Sequence, residues 1–245
     1  MQRTPENQVR VGRQQPSSET FECRRPPGRH FSRRRLLKGL CTLICMSDQS
    51  TNWKGDVSPA ANVEPSAKVW DNAQVREGAQ IGSNCIIGRG AYIGAGVVIG
   101  KNCKIQNHAM IYEPAVLKDG VFVGPNVVIT NDHYPRAINP DGSIKSASDW
   151  EPTGVTIHTG ASIGAHSVCI APVVIGAWSL IGSGSVVTKN VPDHAIVVGN
   201  PARQIGWAGK SGYKLIEVSP NTWECPKTGS KYDKDSNGMM KEKTK

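Results

Sequence analysis

The residues best suited to chemistry stand close together in the chain. Asn107 and His108 form an adjacent pair, and the segment 131–136 reads Asn-Asp-His-Tyr-Pro-Arg. An imidazole can accept a proton from a nucleophile, while amide, carboxylate and guanidinium groups can orient a polar substrate. These residue types therefore suit the binding of a polar substrate and the removal of a proton from it.

Each of these residues also has a purely structural explanation. Asp132 could form an Asx turn, Arg136 could pin a loop by a salt bridge, and Tyr134 could pack that loop. Asn107 could stand at a corner because of its turn conformation, and His108 could be an ordinary surface imidazole. Both explanations remain open at the level of the residues.

A strict six-residue repeat must position these residues. An aliphatic residue recurs at thirteen positions, six apart, from Val57 to Ile129, and a small or slim residue follows each of the first twelve by four. A helix has a period near 3.6 and a simple strand a period of 2, so a period of six indicates a short strand plus a turn. Three repeats then close one triangular coil of eighteen residues.

The repeat is interrupted once and then resumes. Residues 131–154 form a polar, turn-rich excursion of 24 residues, and six further hexads run from Ile157 to Val187. The nineteen hexads predict about six coils and a prism roughly 30 Å long. A long loop inside a regular repeat usually carries function, although a tolerated surface insertion is the alternative.

The two ends of the chain lack the repeat. Residues 1–45 contain ten Arg and Lys residues and three Glu residues, a net charge of +7. Since the whole chain has a net charge of +9, the other 200 residues carry only +2. The repeat region is therefore a poor partner for nucleic acid. We divide the chain into a disordered basic tail (1–50), a β-helix domain (51–203, with the loop 131–154) and a C-terminal appendage (204–245).

The basic tail has several interpretations. Residues 32–38 and the short apolar run after them resemble a twin-arginine export signal. An inert tail, or an upstream over-translation with Met46 as the true start, is favoured, and a nucleic-acid or membrane-surface arm is a third possibility. No run approaches eighteen apolar residues, so we predict no transmembrane helix and expect a cytoplasmic protein.

The seven cysteines lack the spacing of a disulfide framework. Cys85 and Cys103, eighteen apart, should stack on adjacent coils as small core residues in a reducing compartment. Residues 225–229 resemble a zinc-ribbon knuckle in which Thr228 replaces the second cysteine, and one thiolate cannot hold structural zinc. We therefore expect a small metal-free hairpin there, and disorder after Tyr232.

The repeat resembles the left-handed parallel β-helix of the hexapeptide-repeat acyltransferases, so the predicted fold class is all-β. Residues 182–192 and 199–203 are similar to the C-terminal coil signature of acetyl-CoA-dependent members. A narrower resemblance, to bacterial nucleotide-sugar 3-N-acetyltransferases, rests on residues 104–107, 112, 123–126, 130–137 and 203–207. Together the resemblances cover about residues 57–207.

The resemblance implies an enzyme that moves the acetyl group of acetyl-CoA to the 3-amino group of a nucleotide-linked sugar. The implied acceptors are UDP-2-acetamido-3-amino-2,3-dideoxyglucuronate or a dTDP-3-amino-3,6-dideoxyhexose, used for surface polysaccharide. It also implies a homotrimer with acetyl-CoA in the cleft between neighbouring prisms, and no metal. In similar N-acetyltransferases a dedicated base is not obvious, and water or the CoA sulfur takes the proton.

The resemblance also assigns residues. Cofactor contacts are implied for Ala165, Ala171, Ser183, Thr188, Lys189 and Arg203, with the two cations at the CoA phosphates. Substrate contacts are implied for Asn126, Asn131, Asp132, His133, Tyr134 and Arg136. The catalytic candidates are Asn107 and His108, although the family favours Asn or a small residue at the second position.

Other functions remain open. One is an O- or N-acyltransferase of the same fold that acts on another small acceptor. A γ-carbonic-anhydrase-like zinc enzyme is disfavoured because its His-x4-His pair is absent among the histidines at 30, 108, 133, 158, 166 and 194. A non-catalytic scaffold is disfavoured by the coil signature that resembles CoA-dependent members.

Overall fold

The six-residue repeat folds as a solenoid of short parallel strands. The computed structural model describes residues 55–236 and 238–243. Most strands of the solenoid pair with the strand eighteen residues away, as in Ile93 with Ile111, or forty residues away across the excursion, as in Ile129 with Cys169. The predicted all-β solenoid is confirmed. The basic tail, with its export-like segment and Met46, lies outside the described residues.

Three sheets run along the solenoid. Sheet I consists of β1 (Asp56–Val57), β4 (Gln74–Val75), β7 (Tyr92–Ile93), β10 (Met110–Ile111), β13 (Val128–Ile129), β16 (Val168–Cys169) and β19 (Val186–Val187). Sheet II consists of β2 (Asn62–Val63), β5 (Gln80–Ile81), β8 (Val98–Ile99), β11 (Val116–Leu117), β14 (Val155–Ile157) and β17 (Val173–Ile175). Sheet III consists of β3 (Lys68–Val69), β6 (Ile86–Ile87), β9 (Lys104–Ile105), β12 (Phe122–Val123), β15 (Ser162–Ile163), β18 (Leu180–Ile181), β20 (Ala195–Val198) and the antiparallel β21 (Arg203–Trp207).

The core follows directly from the hexads. From Ile81 to Val187 the inward residue of every hexad is at most 2% exposed. The residue four positions later is buried as well, except at His133, where the excursion begins. Each buried aliphatic side chain contributes about 1.5–3 kcal/mol. Cys85 and Cys103 stack as expected, with the Cys103 amide donating to the Cys85 sulfur at 3.4 Å. The hydrogen bond between the two thiols lowers the pKa of Cys85 to about 7 and raises that of Cys103.

The corners between sheets require a left-handed backbone. The second corner residue has a φ near +60°, for example 58° at Asn84 and 57° at His108. Glycine, asparagine and histidine tolerate this region better than most residues. The amide of each such residue donates to the coil before it, as His108 does to the Arg89 carbonyl at 2.9 Å. The corner conformation therefore accounts for many of the polar residues that interrupt the hexads.

The excursion leaves the solenoid between β13 and β14 and returns with the strand register intact. Its base is closed by the amide of Thr153, which donates to the carbonyl of Asn131 at 3.1 Å. It contains one turn of 3-10 helix, Ala147–Asp149, and an antiparallel bridge between Ile138 and Ile144.

The prediction for the C-terminal region, a small hairpin followed by disorder after Tyr232, is wrong. A fourth, antiparallel sheet consists of β22 (Ile216–Ser219), β23 (Thr222–Glu224), β24 (Lys231–Lys234) and β25 (Met240–Glu242). Tyr232 is buried with Leu215, Cys225 and Met240 in a second small core. The sequence around Tyr232 is rich in charged residues and therefore does not indicate a core. In the structure these charged residues form ion pairs across strands, such as Lys243 with Asp233 at 2.8 Å.

Among the described residues, no helix is long and apolar enough to cross a membrane.

Candidate functional site

The candidate residues lie on two different edges of the solenoid. The loop edge, between sheets I and II, carries residues 131–136, Ala171, Thr188 and Lys189. The asparagine edge, between sheets III and I, carries Asn107, His108, Asn126, Ala165 and Ser183. Sheet I separates the two edges, because a strand of that sheet, such as β10, lies between each pair of corners. A single chain therefore brings the predicted set together only in part.

On the asparagine edge, the side chain of Asn107 holds a corner. Its Oδ1 accepts a hydrogen bond from the amide of Arg89 at 3.1 Å, and its carbonyl accepts one from the amide of Asn126 at 3.1 Å. The ring of His108 lies over Gly90, where a Cβ atom would collide with it. The corner explanation of Asn107 is thus supported by its contacts, although both side chains are exposed.

The same edge contains a histidine that sequence reasoning missed. His166 lies one coil beyond Asn126, and its Nε2 is 3.5 Å from the Asn126 amide nitrogen. Both residues have a left-handed backbone and exposed side chains. The signal that could have found His166 is its separation of forty residues from Asn126, which equals one coil plus the excursion.

On the loop edge, the excursion folds back on itself and forms an open cavity of about 560 Å³ against Pro172. The predicted residues Asp132, His133 and Tyr134 line it together. The Nδ1 of His133 lies 3.1 Å from the carbonyl oxygen of Ala171, and the rings of His133 and Tyr134 meet edge to face at 4.2 Å. Because a carbonyl only accepts, Nδ1 must carry the proton of that bond, which leaves Nε2 as the acceptor of a neutral ring.

The two charged residues of this segment differ in their contacts. Asp132 accepts a hydrogen bond from the amide of Tyr134 at 2.9 Å, so the Asx-turn explanation of Asp132 is confirmed. Arg136 donates only to the carbonyl of Pro135, at 2.8 Å, and forms no ion pair within the described part of the chain. The salt-bridge explanation of Arg136 therefore finds no partner there.

The opposite wall of the cavity comes from residues that sequence reasoning did not select. Lys145, Asp149, Trp150 and Glu151 line it. Asp149 accepts hydrogen bonds from the amide and hydroxyl of Ser146 at 2.8 and 2.7 Å, which lower the pKa of its carboxyl group. These residues have no periodic signal, and they approach residues 132–134 only because the excursion folds back.

A second concavity, of about 290 Å³, brings three predicted cofactor residues together. Thr188, Lys189 and Arg203 line it, and no carboxylate does. The hairpin of β20 and β21 is held against β19 by the amide of Ala202, which donates to the Val186 carbonyl at 2.8 Å. Two cations without an acid suit a phosphate-bearing ligand. Of the other predicted cofactor residues, Ala171 lies one coil below Lys189, whereas Ala165 and Ser183 lie on the asparagine edge.

The knuckle-like segment forms a hydrogen-bonded cluster around one thiol. The sulfur of Cys225 lies 3.1 Å from the hydroxyl of Ser211. Burial raises the pKa of Cys225, but hydrogen bonds from Ser211 and Thr228 outweigh it and bring the pKa to about 7. Within residues 55–236 and 238–243, no group of three or more His, Cys, Asp or Glu side chains could hold a metal ion.

Two family models match the solenoid. One, described as bacterial transferase hexapeptide (six repeats), matches residues 60–95 and 96–131. The other, described as hexapeptide repeat of succinyl-transferase, matches residues 78–113 and 154–189. Both models describe hexapeptide repeats, so the solenoid is similar to the hexapeptide-repeat transferases over the matched residues. The matched ranges lie on both sides of the excursion, in the two parts of the solenoid whose strands pair with each other.

Curated relatives match parts of this chain. It is 48% identical over 59 residues to dTDP-3-amino-3,6-dideoxy-alpha-D-galactopyranose 3-N-acetyltransferase of Aneurinibacillus thermoaerophilus, covering 24% of this chain and 31% of that protein. It is 36% identical over 87 residues to serine acetyltransferase 2 of Arabidopsis thaliana, covering 35% of this chain and 26% of that protein. The matches thus span about a third or less of these relatives' length.

Solved structures of two acetyltransferases align with this chain at low TM-scores. A hexapeptide-repeat containing acetyltransferase of Vibrio cholerae O1 biovar eltor, complexed with acetyl coenzyme A, has a TM-score of 0.43 and 22% identity, covering 53% of this chain and 70% of that one. A point mutant of perosamine N-acetyltransferase of Caulobacter crescentus, in complex with CoA and GDP-perosamine, has a TM-score of 0.31 and 24% identity, covering 61% and 55%. Likeness at this level carries no argument about activity.

Proposed function

We propose that this chain is an acetyl-CoA-dependent N-acetyltransferase that acts on the 3-amino group of a nucleotide-linked sugar. The observation that carries the proposal is the arrangement of the loop edge. The basic concavity at Lys189 and Arg203 adjoins the loop cavity, because residues 171–172 lie one coil below residues 189–190. The partial similarity to a dTDP-3-amino-sugar 3-N-acetyltransferase supports the acceptor.

In the proposed reaction, the sugar nitrogen attacks the carbonyl carbon of the thioester. A C–N bond forms and the C–S bond breaks; the nitrogen loses a proton, and CoA leaves as a thiolate that takes up a proton. The amine must be held about 3–3.5 Å from the carbonyl carbon, and the oxyanion requires donors such as backbone N–H groups. A sugar amine is partly neutral near pH 7, so a strong base is not needed.

His133 is the residue that we propose as the proton acceptor. Its Nδ1 is occupied by the Ala171 carbonyl at 3.1 Å, which orients the ring and leaves Nε2 free to accept. His133 lines the cavity, whereas His108 lies on the other edge of the same chain. In an assembly, His108 and Asn107 could approach the cavity of a neighbouring copy.

We further propose a homotrimer in which the asparagine edge of one prism faces the loop edge of the next. Such an assembly would place Asn107, His108, Asn126, Ala165 and Ser183 beside the loop-edge residues. An outward row on sheet I, with Met110 at 42% exposure, supplies apolar surface for it. A cytoplasmic location, a role in surface polysaccharide, and the division at residues 51–203 and 204–245 belong to the same proposal.

The test is acetyl transfer by the full-length protein. CoA release is measured with acetyl-CoA and UDP- and dTDP-linked 3-amino sugars. Serine is included because of the partial similarity to a serine acetyltransferase. Acetylation of a 3-amino sugar is expected. If acetyl-CoA binds but no amino sugar is acetylated, the acceptor is wrong; if acetyl-CoA does not bind, the acyltransferase proposal fails.

A further inference from the structure

The loop cavity and the neighbouring basic concavity have opposite charges. Three carboxylates, Asp132, Asp149 and Glu151, line the cavity with one ammonium group, that of Lys145, which gives a formal charge of −2 without histidine. The lining of the concavity has two cations and no acid, a formal charge of +2. A diphosphate is therefore repelled from the cavity, and an ammonium group is attracted to it.

The three carboxylates are not equally available. One oxygen of Asp149, Oδ2, accepts hydrogen bonds from the amide and hydroxyl of Ser146, and one oxygen of Asp132 accepts a hydrogen bond from the amide of Tyr134. Glu151 has no hydrogen bond or ion pair with any other described residue, and its side chain is exposed. Glu151 is thus the carboxylate most free to meet a ligand.

A buried hydroxyl lies in the wall of the cavity. Thr153 lines the cavity, and its Oγ1 is buried without a hydrogen-bond partner among residues 55–236 and 238–243. A buried polar atom left unpaired costs about 1–3 kcal/mol, so such atoms normally meet a partner. Because Oγ1 is closed to solvent, a ligand in the cavity does not reach it in this conformation.

We propose that the loop cavity holds the sugar ring of the acceptor and selects a 3-amino sugar without a carboxylate over a 3-amino uronate. Glu151 is the specificity-determining residue, because it attracts the ammonium group and repels a sugar carboxylate. The nucleotide diphosphate stays outside, where Arg136 is exposed and free of ion pairs within the described part of the chain. This inference rests on the proposed function.

The test uses two nucleotide sugars that share the nucleotide and the 3-amino group and differ only at C6, as hydroxymethyl or carboxylate. Both are prepared with UDP and with dTDP. Their affinities for the full-length protein are measured by calorimetry without acetyl-CoA, so that binding is separated from transfer. The hydroxymethyl sugar is expected to bind at least tenfold more tightly, since several carboxylates act on the uronate.

Three variants test the contributions of single residues to sugar and nucleotide binding. Glu151→Gln should reduce the preference about fivefold, which is the effect of one exposed charge pair. Arg136→Ala should weaken both sugars and the free nucleotide equally and leave the preference unchanged. Thr153→Val should change neither the affinities nor the preference, because the Oγ1 atom is closed to the cavity. Glu217→Gln, an exposed carboxylate on β22 outside the cavity, is the matched control and should change nothing.

The outcomes are distinct from those of the proposed function. Equal or tighter binding of the uronate, or a preference unchanged by Glu151→Gln, overturns the inference. Binding of neither sugar also overturns it. The proposed function is judged separately by acetyl-CoA binding and CoA release. Transfer to both sugars at equal efficiency, for example, would leave the acetyltransferase intact and refute only the selectivity.

Discussion

Replacing His133 by asparagine separates its two proposed roles. The amide nitrogen of asparagine branches from Cγ, as Nδ1 does, so His133→Asn can keep a donor for the Ala171 carbonyl, 3.1 Å from Nδ1. It has no counterpart of Nε2, the atom that we propose to accept the proton. His133→Ala, by comparison, removes both the donor and the acceptor.

The expected magnitudes follow from these contacts. A general base contributes about 100-fold at the lower end of its range, which is appropriate for an amine that is already partly neutral and equals about 2.7 kcal/mol of activation free energy. The hydrogen bond to Ala171 is worth about 1 kcal/mol or less, because His133 is exposed. His133→Asn should therefore lower kcat about 100-fold with little loss of stability, whereas His133→Ala should lower both.

The assay is CoA release at saturating acetyl-CoA and amino sugar, together with urea unfolding of each variant. His158→Asn is the matched control, because His158 follows β14 on a different edge and does not line the cavity. A kcat for His133→Asn within threefold of the wild type would refute the proposed base. In that case water or the CoA sulfur would be the proton acceptor, as the family resemblance allows.

Three further predictions concern the corners, the C-terminal sheet and the cofactor concavity. Gly160→Ala should lower the free energy of unfolding by at least 2 kcal/mol, and Gly96→Ala by about 1 kcal/mol. Both glycines have φ near +70°, but only the methyl group added at Gly160 would meet a side chain, that of Trp178. Equal losses in urea unfolding would contradict this. Burial lowers the pKa of His194 in the folded state, so the unfolded state binds more protons below about pH 6.5. The free energy of unfolding should therefore fall as the pH drops from about 7.5 to 5.5. His194→Gln should make the free energy of unfolding less dependent on pH in this range. Lys189→Ala should raise the Kd for acetyl-CoA about tenfold and leave kcat nearly unchanged, and an unaltered Kd in calorimetry would remove Lys189 from the phosphate site.

The contrast between the repeat and the excursion explains what was predictable. Every hexad places an aliphatic residue inward and a small residue at the bend, and both are set by residues within six positions. Cys85 and Cys103 could be placed on neighbouring coils for this reason, as their contact at 3.4 Å confirms. The C-terminal sheet has no such period, so its core around Tyr232 escaped the prediction.

The sequence by itself determined the solenoid, its core and the limits of the excursion, because a periodic pattern of side-chain direction is a local property. Only the tertiary structure decided which polar residues meet. It placed Asn107 and residues 131–136 on different edges, and it brought Glu151 and Thr153 to the same cavity as Asp132. The physical reason is that the excursion closes through contacts between residues distant in sequence, such as Thr153 with Asn131, which no repeat specifies.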